Sequence, residues 1–227
     1  RPEPAAMPED IRTTLIALAD RCTVVVTSAR ARANVERLIR IESITYAGCH
    51  GFDIAGPKGT GIRHDEGAGY TPVIAQAANE LRRGLASIEG VIVENKIYAV
   101  TVHFRTVKAD DVSRVEHIVD SVLAQHTLLH KTRGKKFFEL RPNMPWGEGK
   151  AVLWLLDAMG LNQPDVVPFY IGNKVTDRDA FQALLGKGIS ILVAKKPQPT
   201  CADYRLSGRG EVYAFLNALT AMLGEGT

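Results

Sequence analysis

The apolar positions of this 227-residue chain fall into helical stripes and short continuous runs. The stripes predict helices over residues 8–20, from about 30 to 40, and over 149–159, 177–185 and 210–223. The continuous runs predict strands at 22–27, 44–47, 166–171 and 189–193. The run at 22–27 is typical of a strand that is buried on both faces. A hairpin is predicted with a first strand at 52–54 and a second strand from 62 onward. This alternation predicts an α/β fold with a mostly parallel sheet.

The pattern changes in the middle of the chain. Helices are predicted over 71–90 and 110–125, and a hairpin follows each of them. The first hairpin covers 91–105 and turns around Asn95 and Lys96, and the second covers 128–140 and turns at Arg133 and Gly134. We therefore predict a core of residues 1–68 and 143–227, with a smaller α+β domain of residues 69–142 inserted into it.

Composition excludes several classes of protein. The net charge is only +3, and no basic stretch carries interleaved aromatic residues, so we expect no nucleic-acid partner. No apolar run reaches the ~20 residues that span a membrane, so no membrane partner is expected. Cys22, Cys49 and Cys201 lie far apart without CxxC spacing, which argues against a disulfide framework or a zinc site. Free thiols are typical of a reducing compartment, so we expect a cytoplasmic location.

The loop after the strand at 166–171 carries the first candidate chemistry. Ligands in open α/β sheets bind at the carboxyl ends of the strands. This loop continues from Gly172 into Asn173 and Lys174, and the next helix begins near Asp177. Asp177 also fits a simpler role, as a helix N-terminal acid favoured by the helix dipole.

Several segments, in order and spacing, resemble the trehalose-6-phosphate phosphatases of the haloacid dehalogenase superfamily. They are Tyr46-Ala-Gly-Cys-His-Gly51, Val93-Glu-Asn-Lys96, Val102-His-Phe-Arg105, Glu139-Leu-Arg-Pro142, Ala151-Val-Leu-Trp-Leu-Leu156 and Gly172-Asn-Lys-Val-Thr-Asp-Arg-Asp-Ala-Phe181. The resemblance implies a haloacid-dehalogenase-type Rossmann-like core with an inserted α+β cap. It also implies Mg²⁺ as cofactor and trehalose 6-phosphate as substrate.

In the cap, the resemblance implies a set of residues that hold sugar hydroxyls. These are Glu94, Lys96, His103, Arg105 and Glu139. Two simpler interpretations stay open. Glu94 and Lys96 share one strand face and fit an ordinary salt pair, and His103 fits an ordinary exposed strand histidine.

In the core, the resemblance implies that Ser28 is the second catalytic motif and that Arg30 and His50 lie near the phosphate. His50 also fits a turn histidine that caps backbone groups. The nucleophilic and acid/base aspartates of the first motif are absent from the chain, and we expect their strand just before Arg1 in a longer polypeptide. That strand lies at the centre of the superfamily's sheet, so its absence would leave two open sheet edges.

Two departures reverse the charge of the implied site. Trp146-Gly-Glu-Gly-Lys150 lines up with the family's Trp-Asp-Lys-Gly-Lys, so Glu148 replaces the catalytic lysine. Lys150, two residues further along a helix, points to another face. In the loop, Asn173 and Lys174 replace two acids that hold Mg²⁺ in the family.

These departures predict a degenerate phosphatase domain. Mg²⁺ requires mostly anionic oxygen ligands, and phosphoryl transfer depends on positive charge around the phosphate. We expect weak or no Mg²⁺ binding at Asn173 and Asp177, with Lys174 and Asn173 as a phosphate clamp instead. The predicted role is a sugar-phosphate-binding regulatory or structural domain in trehalose metabolism, joined to other domains of a larger polypeptide. The alternatives are an active Mg²⁺-dependent phosphatase when the first motif lies upstream, and a scaffold without a ligand.

Overall fold

The computed structural model describes residues 7–173 and 177–224, which form two compact units. One unit contains Arg1–His64 and Trp146–Thr227, and the other contains Asp65–Pro145. The chain passes between the two units at 64/65 and 145/146, so the predicted borders at 68/69 and 142/143 both fall inside the second unit.

Helices alternate along the chain with single strands or short groups of strands. The helices are α1 (Glu9–Ala19), α2 (Arg32–Ile39), α3 (Thr71–Gly84), α4 (Val112–Leu123), α5 (Glu148–Ala158), α6 (Asp177–Ala183) and α7 (Arg209–Gly224). The strands are β1 (Val25–Thr27), β2 (Thr45–Gly48), β3 (Asp53–Ala55), β4 (Arg63–His64), β5 (Ile92–Asn95), β6 (Val100–His103), β7 (Leu129–Arg133), β8 (Phe137–Pro142), β9 (Phe169–Gly172), β10 (Ile189–Val193) and β11 (Tyr204–Leu206).

The first unit contains two sheets. One has the order β1-β2-β3-β4, and the other has the order β11-β10-β9. The three-stranded sheet is parallel throughout, but in the four-stranded sheet only β1 and β2 are parallel. The prediction of a mostly parallel sheet is therefore wrong for the four-stranded sheet, because the short connections after β2 and β3 form antiparallel hairpins.

The strand predicted at residues 22–27 is shorter and less buried than expected. It begins only at Val25, and all three of its residues are half-buried. Among the described residues β1 lies at one edge of its sheet, and an edge strand has a neighbouring strand on one side only. By contrast, every residue of β2 is buried.

Helices pack on these sheets through small apolar clusters. Ala180 and Phe181 of helix α6, with Leu184 directly after it, pack against Tyr170 of β9 and Leu192 of β10. Helix α5 places Ala151 and Leu155 against Ala47 of β2 and Ile54 of β3. Both helices are thereby held at their amino-terminal ends beside the strand ends that carry the candidate chemistry.

The second unit is a four-stranded antiparallel sheet with two helices on one face. Its order is β5-β6-β8-β7. The shared core is formed by α3, α4 and one face of the sheet, with Leu81, Val100, Val115, Val119 and Phe138 among its fully buried members. Side chains alternate along a strand, so the other face of the sheet carries the polar residues of β5, β6 and β8.

Three further element predictions need correction. Helix α3 ends at Gly84 rather than residue 90, and Gly90 adopts a positive φ of 84° in the turn that follows. Strand β9 begins at Phe169 rather than 166, directly after Pro168, which has no backbone N–H to donate to a ladder. The first hairpin turns at Ile97 and Tyr98 rather than at Asn95 and Lys96.

Within the described part of the chain, no helix combines the length and the apolar character that a membrane span needs.

Candidate functional site

The candidate site of the first unit starts from a strained turn after β2. Cys49 and His50 both adopt left-handed backbone angles, with φ of 50° and 60°. Such angles are unfavourable for residues other than glycine, and strain of this kind concentrates at functional sites. The turn is tied to the loop after β1, because the backbone N–H of Cys49 donates to the carbonyl of Arg30 (2.8 Å) and that of His50 to the carbonyl of Ser28 (3.1 Å).

This turn brings His50 against Glu148. His50 Nδ1 lies 2.5 Å from Glu148 Oε1, and both residues are buried, at 5% and 7% exposure. Glu148 stands in the first turn of α5, where the helix dipole favours a carboxylate. Gly51 permits the close approach of the turn, since a Cβ atom there would lie 2.3 Å from the Cβ of Ala151. The position that the sequence aligns with a catalytic lysine thus holds a buried acid with an imidazole partner.

A second group of contacts fixes Asp177 at the start of α6. The hydroxyl of Tyr170 donates to Asp177 Oδ1 (3.0 Å), and the backbone N–H of Asn173 donates to Asp177 Oδ2 (2.7 Å). Tyr170 also lies 3.3 Å, oxygen to oxygen, from the Thr27 hydroxyl at the end of β1. Burial raises the pKa of Tyr170, and the negative charges of Asp177 and Glu148 raise it further. Tyr170 is therefore protonated at neutral pH and serves as a donor to Asp177.

The described residues of this loop fit a Mg²⁺ ion poorly. Both carboxylate oxygens of Asp177 already accept hydrogen bonds, and Asn173 is neutral and exposed. Mg²⁺ is held by an octahedron of mostly anionic oxygens. Among the described residues there is no group of three or more His, Cys, Asp or Glu side chains placed to hold a metal. Lys174 lies outside the described residues.

The remaining candidates of the first unit lie at the end of β1. Ser28 is half-buried, and its hydroxyl accepts the backbone N–H of Arg30 (3.1 Å). Arg30 is exposed. Lys150, two residues beyond Glu148, is also exposed, which agrees with the predicted difference in direction between these two positions on α5.

The second unit carries a polar cluster on the sheet face that lies opposite its helices. Glu94, Thr101 and Glu139 occupy one row across β5, β6 and β8. Glu139 is only 2% exposed, and its Oε1 accepts from both Lys96 Nζ (2.8 Å) and the Thr101 hydroxyl (2.8 Å). Arg141 Nε lies 3.6 Å from the other oxygen of Glu139. A buried acid is thus held by two cationic side chains and a hydroxyl.

A second pair extends this cluster. His103 Nε2 lies 3.0 Å from Glu94 Oε2, and both side chains keep about two fifths of their surface exposed, at 38% and 43%. Arg105, two residues further on, is exposed. The structure therefore pairs Glu94 with His103 at the surface of this sheet face and Lys96 with Glu139 beneath it, where little of either side chain is exposed.

Sequence reasoning missed three contributors to these clusters. Thr101 lies two residues before His103 on β6. Side chains two positions apart on a strand point to the same face, so the sequence alone places Thr101 on the face of His103. Arg141 stands two residues after Glu139 and shares its face for the same reason. Tyr170 belongs to the loop segment singled out above, but nothing local in the sequence indicates that its hydroxyl reaches Asp177.

Comparison with known structures identifies the class of fold. A structure described as a trehalose-6-phosphate phosphatase related protein superposes with a TM-score of 0.85 at 17% identity, covering 100% of this chain and 93% of that one. A haloacid dehalogenase-like hydrolase from Bacteroides thetaiotaomicron superposes with a TM-score of 0.67 at 14% identity, covering 93% of this chain and 92% of that one. The chain has the α/β fold of the haloacid dehalogenase-like hydrolases.

Sequence comparison then identifies the family. The Trehalose-phosphatase family matches residues 1–209. The maize (Zea mays) protein trehalose 6-phosphate phosphatase RA3 is 35% identical over 238 aligned positions, which cover 98% of this chain and 66% of that protein. The chain belongs to the trehalose-phosphatase family, and it spans just under two thirds of the length of this relative.

Proposed function

We propose that this chain is a trehalose-phosphatase family domain that binds trehalose 6-phosphate, or a sugar phosphate like it, without Mg²⁺-dependent hydrolysis. The observation that carries the proposal is the buried pair of Glu148 and His50. Glu148 occupies the position where the family resemblance implies a lysine that neutralises the phosphate.

Electrostatics supports the loss of chemistry. A catalytic phosphate site needs positive charge that is already in place when the phosphate dianion arrives. In this chain a carboxylate occupies that position, and both oxygens of Asp177 are engaged by Tyr170 and Asn173. Losing one such stabilising group typically costs about 10²–10³ in rate, and positions 148, 173 and 174 all depart from the family pattern.

The polar cluster of the second unit supports the retention of sugar binding. Carbohydrate hydroxyls are bound by side chains that are both donors and acceptors and that are held in place beforehand. Glu139 is fixed by Lys96 and Thr101, and Glu94 is paired with the partly exposed His103. A domain with this binding surface and without hydrolysis fits a regulatory or structural role in trehalose metabolism, within a larger cytoplasmic polypeptide.

Calorimetric titration with trehalose 6-phosphate tests the binding. We expect saturable heat for the unmodified protein, and affinity about 10–100-fold weaker for Glu94→Gln, because a charge-assisted hydrogen bond contributes about 1.5–3 kcal/mol. The exposed acid Glu89 of the same unit supplies the control, and Glu89→Gln should bind as the parent does. Absence of heat at millimolar ligand, or equal affinities for both variants, would contradict the proposal.

A further inference from the structure

The hairpin between β5 and β6 turns through a residue that the turn disfavours. Asn95 pairs with Val100, and the backbone N–H of Lys96 donates to the carbonyl of Ala99 (2.8 Å), so Ile97 and Tyr98 form a two-residue loop. Ile97 has a φ of 75°, whereas Tyr98 is not among the residues with positive φ. A positive φ at the first central position alone defines a turn of the II′ kind, which strongly prefers glycine there.

Ile97 is among the least suitable residues for that position. A β-branched side chain at positive φ is a genuine outlier, because its Cβ substituents crowd the backbone. Packing does not offset this strain, since Ile97 is 52% exposed while its neighbour Tyr98 is 8% exposed. The turn is also held firmly, because the Ile97 N–H donates to Asn95 Oδ1 (2.8 Å). The fold therefore presents an apolar side chain to solvent at a cost in strain.

The position of Ile97 suggests what this side chain does. It follows Lys96 directly, and Lys96 Nζ binds Glu139 Oε1 (2.8 Å) in the polar cluster. Pyranose rings have polar hydroxyl edges and an apolar face of C–H groups, and small-molecule sites combine apolar surface with a few fixed polar groups. Backbone strain that the fold does not use is a reason to infer a functional contact.

We propose that Ile97 is a specificity-determining residue of the sugar-phosphate site, where it contacts the C–H face of a pyranose ring whose hydroxyls bind the polar cluster of the same sheet. This inference rests on the proposed function and adds the class of contact that distinguishes a sugar phosphate from phosphate alone. The strained turn presents the side chain already in position, so binding requires little further ordering.

The test compares Ile97→Gly with Leu128→Ala. Leu128 is an apolar residue of the same unit that is exposed to a similar degree, 57%, and therefore controls for loss of exposed apolar surface. Ile97→Gly should raise the melting temperature by about 2–4 °C, because glycine relieves the turn. It should also weaken trehalose 6-phosphate binding about tenfold, because the apolar contact is lost. Leu128→Ala should bind as the parent does.

Each other outcome has a definite meaning. If the parent protein binds and Ile97→Gly binds equally well, the role of Ile97 is overturned while the proposed function stands. If Ile97→Gly lowers both the melting temperature and the affinity, Ile97 acts through the fold and the inference is also overturned. If the parent protein shows no binding, the proposed function fails and the inference fails with it.

Discussion

At the scale of single residues, the reversed charge at position 148 has a structural consequence as well as a chemical one. A buried carboxylate is costly unless a partner holds it, and His50 lies 2.5 Å away, on a turn that adopts unfavourable backbone angles. The pair therefore ties the turn after β2 to the first turn of α5. Its removal should weaken the fold even though the site is not expected to catalyse.

Replacement of Glu148 by glutamine tests this role. Glu148→Gln should lower the free energy of unfolding by about 1–3 kcal/mol, since a charge-assisted hydrogen bond in a buried place is replaced by a weaker one. Lys150→Gln, on the exposed side of the same helix, should stay within about 0.5 kcal/mol of the parent. Urea denaturation of the three proteins measures the difference, and equal midpoints would contradict the pairing.

The sequence alone identifies Glu148 as a departure from the family pattern, but it does not identify His50 as the partner of Glu148. The glutamate was recognisable because it stands where the family pattern has lysine. The contact with His50 joins residues 98 positions apart, and it depends on the left-handed angles of Cys49 and His50, which no local pattern predicts. Glu94 and His103 are different, because nine positions and one tight hairpin separate them, so strand alternation alone brings them to one face.

At the scale of elements, the junction of β9 with α6 shows how the strand end positions Asp177. A Cβ atom on Gly172 would lie 2.6 Å from the Cβ and Cγ atoms of Asp177. The absence of a side chain at Gly172 therefore lets α6 begin close to the strand, within reach of the Tyr170 hydroxyl.

Gly172→Ala should destabilise the protein for this reason. Overpacking at a tight contact typically costs about 1–3 kcal/mol, and at this junction it would push Asp177 away from Tyr170. Gly208→Ala is the matched control, because a Cβ atom there would meet no atom within 4 Å. Thermal unfolding followed by circular dichroism compares the two variants. If Gly172→Ala and the control have equal melting temperatures, the junction accommodates a methyl group without strain, and the prediction is wrong.

The polar sheet face of the second unit should respond to pH through His130. Burial lowers the pKa of His130, and the positive charge of Arg141 lowers it further. In the unfolded chain the pKa returns to about 6.5. As the pH falls below that value, the unfolded state takes up a proton that the folded state does not, so stability falls.

His130→Gln should therefore flatten the decline in stability between about pH 6.5 and 5. His117→Gln, which changes an exposed histidine of α4, should leave the decline as it is in the parent. Chemical denaturation at a series of pH values measures both profiles. Parallel profiles for the parent and His130→Gln would contradict the assignment.

Helices and strands were predictable from the sequence where the pattern of their own residues determines them. The periodic stripes of α1, α2 and α5 were sufficient, because each of these helices buries apolar residues. The stripe of α7 also predicted its helix, although none of its residues is fully buried. The run from Cys22 predicted too long a strand, since only the residues from Val25 find a partner in β2. Strand β11 was missed because its Tyr-Arg-Leu segment has no strand pattern of its own and forms by pairing with β10.

At the scale of the whole molecule, the chain leaves the first unit and returns to it at neighbouring points. The rings of His64 and Trp146 stack with centroids 4.1 Å apart, and these are the residues of the first unit that border the insertion. The Trp146 indole N–H also donates to the carbonyl of Gly51 (2.8 Å), which fixes the returning chain to the turn that carries His50. Closely spaced ends are typical of an inserted domain.

The inserted unit should therefore fold by itself. Its core joins both helices to the sheet and contains fully buried residues from each of them, which is the requirement for an independent domain. Residues 65–145 expressed alone should show a cooperative thermal transition and dispersed amide resonances. A non-cooperative melt of this segment would show that its core depends on the rest of the chain.

The most direct test of the central claim is phosphate release from trehalose 6-phosphate in the presence of Mg²⁺. With Glu148 in the place of a lysine and Asp177 engaged by Tyr170 and Asn173, we predict a rate equal to that of buffer alone, whether Mg²⁺ or EDTA is added. Turnover that requires Mg²⁺ and stops with EDTA would contradict the account.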